Sequence, residues 1–229
     1  MSRPLLIRST TDGYHITARS NNKDWYCLPL GQVWNIYRDV IYRTIDRYQI
    51  HLHAFVLMGN HFHGIISTPK DPVDIAMRYF MTESSRAIAR ASNRINHVYG
   101  GRHKATFLGD AFSYAYVLKY VLRNPVRAGV VASVSEYRWS TWSKHLDLSE
   151  IPVVDRFDRI AQYVPKCAEE RTEWLNLPTP KEQEELIRLG LRKFKFEFTK
   201  YRDHQKTLEA LRESYGIPDD APRKDDEHL

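Results

Sequence analysis

The pattern of apolar residues predicts an α+β fold: a ferredoxin-like antiparallel sheet with helices on one face, followed by a helical C-terminal extension. Strand-like alternation and helical spacing succeed one another as β-α-β-β-α-β-α. Two apolar strands are separated only by a Gly59-Asn60 turn, which makes them an antiparallel hairpin. Beyond about residue 150, charged amphipathic helices replace this mixed pattern.

Each element has a local cause. The segment "YHITARS" alternates and is β-branched, which is typical of a strand. Pro69 and Pro72 end the hairpin and open the next helix. Pro125 disfavours helical geometry at Asn124, so the last helix of the sheet region should stop or bend there. The predicted elements are strand 14–20, helix 28–50, hairpin strands 50–58 and 61–68, helix 73–95, strand 102–108 and helix 113–131.

Changes in composition and apolar pattern along the chain predict three parts. These are a domain over residues 1–148, a helical extension over 149–216 and a disordered tail over 217–229. The charge is divided unevenly, because residues 1–150 carry a net +8 and residues 151–229 carry −2. A basic excess confined to the first part favours a polyanionic partner, with nucleic acid as the first candidate. Ordinary solubility explains the same charge without any partner.

Composition excludes several classes of protein. The two cysteines, Cys27 and Cys167, are far apart in sequence, which argues against a disulfide scaffold or a cysteine-based zinc site. No apolar run reaches the length of a membrane span, and the N-terminal residues do not resemble a signal peptide. These features predict a soluble cytoplasmic protein.

Two histidines in the hairpin form the first candidate site. Side chains at positions i and i+2 of a strand share a face, so His61 and His63 should point the same way. Neighbouring neutral imidazoles suit a metal ion, whereas a pair of exposed strand histidines needs no ligand at all. His51 and His53, two apart on the partnering strand, are interpreted as structural or supporting residues.

A second group lies on the helix before Pro125. Tyr116, Tyr120 and Asn124 are spaced by four residues and therefore share one helical stripe. The Asn124 carboxamide oxygen is a usable metal ligand, and an activated tyrosine phenol is a usable nucleophile. Alternatively, both tyrosines pack in the core. The spacing does not distinguish this structural role from a catalytic one.

Four blocks, read in order, resemble the REP-associated tyrosine transposases, which are single-tyrosine HUH transposases (His, hydrophobic, His). The blocks are "YHITARSNN", "HAFVLMGNHFHGII", "YVLRNPVRAGVV" and "EYRWSTWSKH", and the resemblance spans about residues 5–146. Each block alone is a weak signal, whereas four in the right order within a basic chain are specific.

The resemblance implies an HUH endonuclease domain that cleaves single-stranded or hairpin DNA and rejoins it as a transposase. His61 and His63 would hold Mg²⁺ or Mn²⁺, although imidazole by itself prefers softer metals. Tyr120 matches the nucleophile that would form a 5′-phosphotyrosine, with Tyr114 and Tyr116 as its rivals. Asn124 occupies the position of a polar third ligand.

Basic and aromatic residues supply the expected DNA contacts. Trp139 and Trp142 would stack on unpaired bases or pack in the core. The expected phosphate contacts are Arg78, Arg86, Arg90, Arg94, Arg102 and Lys104. Related enzymes include homodimers and monomers.

Two other functions remain open. An HUH-fold module that has lost cleavage would still bind structured DNA or RNA. A histidine-triad-like nucleotide hydrolase is disfavoured, because the hairpin carries one HxH and no phosphate-binding glycine loop follows it.

Overall fold

A computed structural model describes residues 7–70, 72–146 and 151–197. Helices α1 and α2 begin directly after Pro29 and Pro72, and the Asp110 carboxylate caps α3 by accepting from the Ser113 amide at 2.7 Å. The elements are β1 (Gly13–Arg19), α1 (Leu30–Tyr48), β2 (His51–Leu57), β3 (His61–Ser67), α2 (Val73–Ser92), β4 (Lys104–Leu108), α3 (Ala111–Leu122), α4 (Asn124–Arg127), α5 (Ala168–Asn176) and α6 (Lys181–Gly190).

The four strands form one antiparallel sheet in the order β2-β3-β1-β4. This order, with α1 and α2 as the two crossover helices, is the ferredoxin-like arrangement that the sequence predicts. The predicted α+β class is therefore confirmed. The β1–β3 register places Thr17 opposite His63 and Arg19 opposite His61, which fixes the neighbours of the histidine pair.

The expectation that all helices lie on one face of the sheet is wrong for α3. Helices α1 and α2 cover one face, where Phe55 and Phe62 belong to the same core cluster as both helices. Helix α3 covers the opposite face, where it packs on Val56 and Ile65. The physical reason is that β2 and β3 are apolar on both sides, so each face needs a cover. We name these surfaces the α1/α2 face and the α3 face.

Both edges of the sheet are covered by later segments of the chain. At the β2 edge, the Leu57 amide donates to the Trp139 carbonyl at 2.9 Å, and the Val154 amide donates to Leu52 at 2.8 Å. At the β4 edge, Phe107 exchanges backbone hydrogen bonds of 2.8 Å with residues 194 and 196. Edge strands covered in this way present fewer open backbone groups to another chain.

Within residues 151–197, the C-terminal extension is less helical than its sequence indicates. Residues 156–164 contain only the short 3-10 turn Phe157–Ile160, and the charged amphipathic pattern that begins near residue 180 is helical only as far as Gly190 in the part of the chain described. The chain turns there because Phe196 packs against Gly190 so closely that a Cβ would lie 2.9 Å from its ring. Helices α5 and α6 contribute Trp174 and Ile187 to the core beneath α3.

The predicted boundary between residues 148 and 149 lies outside the described residues, as does the predicted tail over 217–229. The division into three parts therefore remains a prediction. Among the described residues, no helix combines the length and apolar character needed to cross a membrane.

Candidate functional site

The rings of His61 and His63 lie side by side on the α3 face. Their centroids are 5.1 Å apart and their planes nearly perpendicular, at 87°. Phe62, between them in sequence, lies in the core of the α1/α2 face and is fully buried. The alternation of β3 therefore places the two imidazoles together, as predicted.

Each of the two rings is held through its Nδ1 atom. His61 Nδ1 lies 2.7 Å from the Asn60 carboxamide oxygen, and His63 Nδ1 lies 2.9 Å from Nε2 of His15 on β1. Since an amide oxygen only accepts, His61 carries its proton on Nδ1. Among the described contacts, Nε2 of both rings is left for a ligand, which is the arrangement that orients metal-binding histidines.

Burial keeps both imidazoles neutral. Desolvation, followed by the positive charges of Arg19 and Arg127, lowers the pKa of His61 to about 4. Desolvation, followed by the neighbouring His15 and His61, holds the pKa of His63 well below its usual range. At neutral pH both rings are therefore in the form that binds a metal ion.

Tyr120 faces the histidine pair from α3. Its ring centroid lies 6.1 Å from that of His63, edge to face at 87°. The guanidinium of Arg127 lies 4.6 Å from the centroid of the Tyr120 ring. The Tyr120 ring therefore contacts one neutral imidazole and one cation.

The rival tyrosines lie elsewhere along α3. The Tyr114 ring packs against His53, with centroids 6.0 Å apart, and lies under Gly13. Tyr116 is 2% exposed and packs against Phe112 at 4.4 Å. Of the three candidates, only Tyr120 has a described ring contact with His63.

Asn124 is buried directly below Tyr120. Its amide nitrogen donates to the Tyr120 carbonyl at 3.2 Å, and its carboxamide oxygen accepts from Arg127 at 3.1 Å. Within the described residues, no group of three His, Cys, Asp or Glu side chains could hold a metal ion. A divalent ion bound by the Nε2 atoms of His61 and His63 would therefore need oxygen ligands as well, such as Asn124, water or a phosphate. The role of Asn124 as a ligand remains a prediction.

His53 has a structural position. One of its ring nitrogens lies 3.0 Å from the Ser67 hydroxyl, and the other lies 3.0 Å from the Val154 carbonyl. It therefore ties the hairpin to the segment that covers the β2 edge, in agreement with the sequence interpretation.

Comparison with known proteins identifies the region that carries this site. Residues 12–124 match the model of the family described as "Transposase IS200 like". This stretch contains the histidine pair, Tyr120 and Asn124. Residues 12–124 are an IS200-like transposase domain.

The chain is also similar in fold to solved structures. The chain is similar to the structure of a REP-associated tyrosine transposase bound to a REP hairpin, at 18% identity and a TM-score of 0.50, covering 68% of this chain and 99% of the other. A candidate transposase from Deinococcus radiodurans matches at 13% identity and a TM-score of 0.37, covering 53% of this chain and 94% of that protein. A search among curated proteins returned no match.

The expected DNA contacts divide between the two faces of the transposase domain. Arg78, Arg86 and Arg90 are carried by α2, which covers the face opposite the histidines, and Arg94 follows directly after the C-cap residue of that helix. Lys104, by contrast, opens β4 in the cross-strand row that contains Thr17 and His63, and it is exposed. Arg102, also exposed, precedes Lys104. The geometry therefore brings Lys104, but not the α2 arginines, to the side of the sheet that carries the site.

The two tryptophans proposed as stacking residues are partly buried. Trp139 packs against Trp34, with centroids 6.1 Å apart, and the Trp142 indole donates to Thr172 at 3.2 Å. Core packing therefore accounts for their described contacts.

Sequence reasoning missed the residues that hold the candidate site together. His15 and Arg19 share the α3 face with the histidine pair because they alternate along β1, but their proximity depends on the β1–β3 register. Asn60 and Arg127 act through side-chain contacts that no spacing rule specifies. The one available signal was the alternation of "YHITARS", in which His15, Thr17 and Arg19 share a face.

Proposed function

We propose that this protein is a metal-dependent single-stranded DNA endonuclease and strand transferase that uses Tyr120 as its nucleophile. The observation that supports this most directly is the convergence of three side chains from separate elements. The imidazoles of His61 and His63 and the phenol of Tyr120 meet on the α3 face, with 6.1 Å between the His63 and Tyr120 rings.

The chemistry assigned to these residues is an exchange of phosphoester bonds. Tyr120 Oη loses its proton to solvent and attacks the phosphorus of a DNA phosphodiester. The bond to the 3′ oxygen breaks, and that oxygen takes up one proton from solvent and leaves as a hydroxyl. The product is a 5′-phosphotyrosine, which a new 3′ hydroxyl can attack in reverse without ATP. Because the phosphoester count is unchanged, both strand transfer and simple rejoining follow from one site.

Residues of the site contact Tyr120 and would offset the charge of the phosphate. The Arg127 guanidinium lies over the Tyr120 ring, and Asn124 accepts a hydrogen bond from that guanidinium. His61 and His63 would bind Mg²⁺ or Mn²⁺ through Nε2, and the ion would offset the charge that develops on the phosphate oxygens. Two neutral ligands leave the positive charge of the ion undiminished for that purpose.

The test is a denaturing gel of the full chain incubated with a labelled pool of hairpin oligonucleotides and Mg²⁺ or Mn²⁺. We expect a labelled protein band that EDTA suppresses. Tyr120→Phe should abolish the band because it removes the nucleophilic oxygen, whereas Tyr116→Phe should retain it. An adduct that survives Tyr120→Phe would contradict the assignment of the nucleophile.

The absence of a third His, Cys, Asp or Glu ligand in the described residues keeps one alternative in view. A module that binds structured DNA without cleaving it would shift the same hairpins on a native gel and give no adduct with either metal. The native and denaturing gels together therefore separate the two functions.

A further inference from the structure

Trp25 is exposed beside the Gly59-Asn60 turn, which leads directly into the strand of the histidine pair. It retains 77% of its accessible surface, whereas Trp34 and Trp174 retain 4% and 5%. A single exposed apolar residue is common on protein surfaces and by itself indicates nothing. The inference depends on how the chain holds this indole and on what lies next to it.

The loop around Trp25 is fixed in an unfavourable backbone conformation. Asn22, Lys23 and Cys27 have positive φ angles of 54°, 62° and 58°. The two other non-glycine residues with positive φ among those described follow the ends of α1 and α2, where this geometry is common. Such strain persists only where surrounding contacts impose it, and it concentrates at functional positions.

Contacts on both sides of Trp25 fix its backbone. The Asn21 amide donates to the Val98 carbonyl at 2.8 Å, and the Ser20 hydroxyl donates to the Asp24 carbonyl. Directly after Trp25, the Tyr26 ring is 1% exposed and its hydroxyl accepts from Tyr37 at 3.1 Å. The indole therefore projects from a pre-organised backbone, which reduces the entropy lost when a ligand binds to it.

The same turn supports Trp25 and the first candidate ligand. The Asn60 side chain donates to the Lys23 carbonyl at 2.6 Å and accepts from His61 Nδ1 at 2.7 Å. A Cβ placed on Gly59 would lie 3.6 Å from the Trp25 ring, in ordinary van der Waals contact. One dipeptide thus packs under the indole and orients the His61 imidazole.

The charge around this turn suits a polyanion. Arg19 is exposed on the α3 face and pairs with His61 across the strands. Lys23 is exposed in the loop, and the acidic Asp24 beside Trp25 is exposed as well. Arg127 adds a third cation near the His61 ring. A stacking surface next to such cations is the combination that binds single-stranded nucleic acid.

We propose that Trp25 is the stacking platform for one unpaired base of the DNA strand held at the His61–His63 site. The proposal rests on the proposed function, because it assigns the single-stranded substrate of that site. Trp25 would position the strand through its base while the histidines and Tyr120 act on its backbone.

The experiment measures binding without cleavage. Fluorescence anisotropy would follow labelled hairpins with a single-stranded flank, in EDTA, on the Tyr120→Phe background. Trp25→Ala should weaken binding about 5- to 150-fold, the equivalent of one base–aromatic stack. Trp25→Phe should recover most of the affinity. Tyr42→Ala is the matched control, because Tyr42 is an aromatic residue 54% exposed on α1, on the opposite face of the sheet.

A series of hairpins with one abasic position locates the stacked base. The parent should lose affinity at one flank position, and Trp25→Ala should be insensitive to that same position. Equal affinities for Trp25→Ala and Tyr42→Ala would overturn the stacking proposal, as would failure of the parent to bind any hairpin. If Trp25→Ala weakens binding but the chain with Tyr120 intact forms no adduct, only the strand transferase function is refuted. If the adduct forms but Trp25→Ala binds hairpins as tightly as the parent, only the stacking proposal is refuted.

Discussion

The two faces of the sheet are built from the same strands and both carry apolar clusters, but the α3 face also carries histidines. On the α1/α2 face, Phe55 and Phe62 stack at 5.4 Å and Tyr37 packs against both. On the α3 face, the alternate residues of β1 and β3 include His15, His61 and His63. One apolar face anchors the strands, and the other carries the polar groups of the site.

The difference shows how a small sheet can carry buried polar groups. The α3 face satisfies most of its imidazoles internally, through the His15–His63, His61–Asn60 and His53–Ser67 contacts. Burial lowers the pKa of His15 to about 3, so it stays neutral and does not add charge beside the pair. Neutral, paired imidazoles cost far less to bury than charged ones.

The largest effect on stability is expected at Phe62, on the α1/α2 face. It is fully buried and its ring centroid lies within 6 Å of those of Phe55, Tyr37 and Phe80. We expect Phe62→Ala to lower the free energy of unfolding by about 3–5 kcal/mol, because it leaves a cavity in the anchoring core. Guanidinium denaturation followed by circular dichroism measures this loss.

His63→Ala is the matched variant on the other face, one residue away. It should cost less stability, about 1–3 kcal/mol, from the hydrogen bond lost by His15. His63→Ala should also abolish Mn²⁺ binding in the folded protein. Phe62→Ala should lose Mn²⁺ binding only to the extent that the chain unfolds. Equal destabilisation by the two variants would mean that the α3 face is as structural as the α1/α2 face.

A smaller effect is expected at His15, whose only described hydrogen bond goes to His63. If His15 accepts the His63 Nδ1 proton, it holds the tautomer that leaves Nε2 for a metal. His15→Ala should then weaken Mn²⁺ binding by about 10- to 100-fold, the usual effect of removing such a partner. Electron paramagnetic resonance of free Mn²⁺, without DNA, measures this directly.

His15→Gln provides the control, because its carboxamide can accept the same proton. It should restore most of the Mn²⁺ affinity, whereas a purely space-filling role for His15 would be restored better by His15→Leu. Unchanged Mn²⁺ affinity in His15→Ala would remove this residue from the site.

Local patterns predicted the parts of the site that depend on one element. The shared face of His61 and His63 follows from strand alternation, and the shared stripe of Tyr120 and Asn124 follows from helical spacing. Which face α3 covers is a tertiary property, because an apolar helix packs equally well on either side of a sheet that is apolar on both. The same tertiary property decides whether the α2 arginines reach a bound DNA strand, and their role as phosphate contacts stays a prediction.

The C-terminal segment shows the same limit. The pattern from residue 180 onward is amphipathic and charged, yet α6 ends at Gly190 because residues 194 and 196 form hydrogen bonds to Phe107 at the β4 edge. A nearby open strand edge decides this outcome, and local propensity contains no information about it.

The smallest effect is expected on DNA affinity, when one positive charge is removed from either face of the sheet. Lys104 lies in the cross-strand row of His63, whereas Arg90 is exposed on α2 behind the other face. Lys104→Gln should weaken hairpin binding a few-fold and reduce the slope of log affinity against log salt by about 1, the effect of one phosphate contact. Arg90→Gln removes an equal charge from the same domain and should change neither quantity. Anisotropy titrations at several salt concentrations measure both, and a reduced slope for Arg90→Gln would show that the DNA path extends around the sheet to α2.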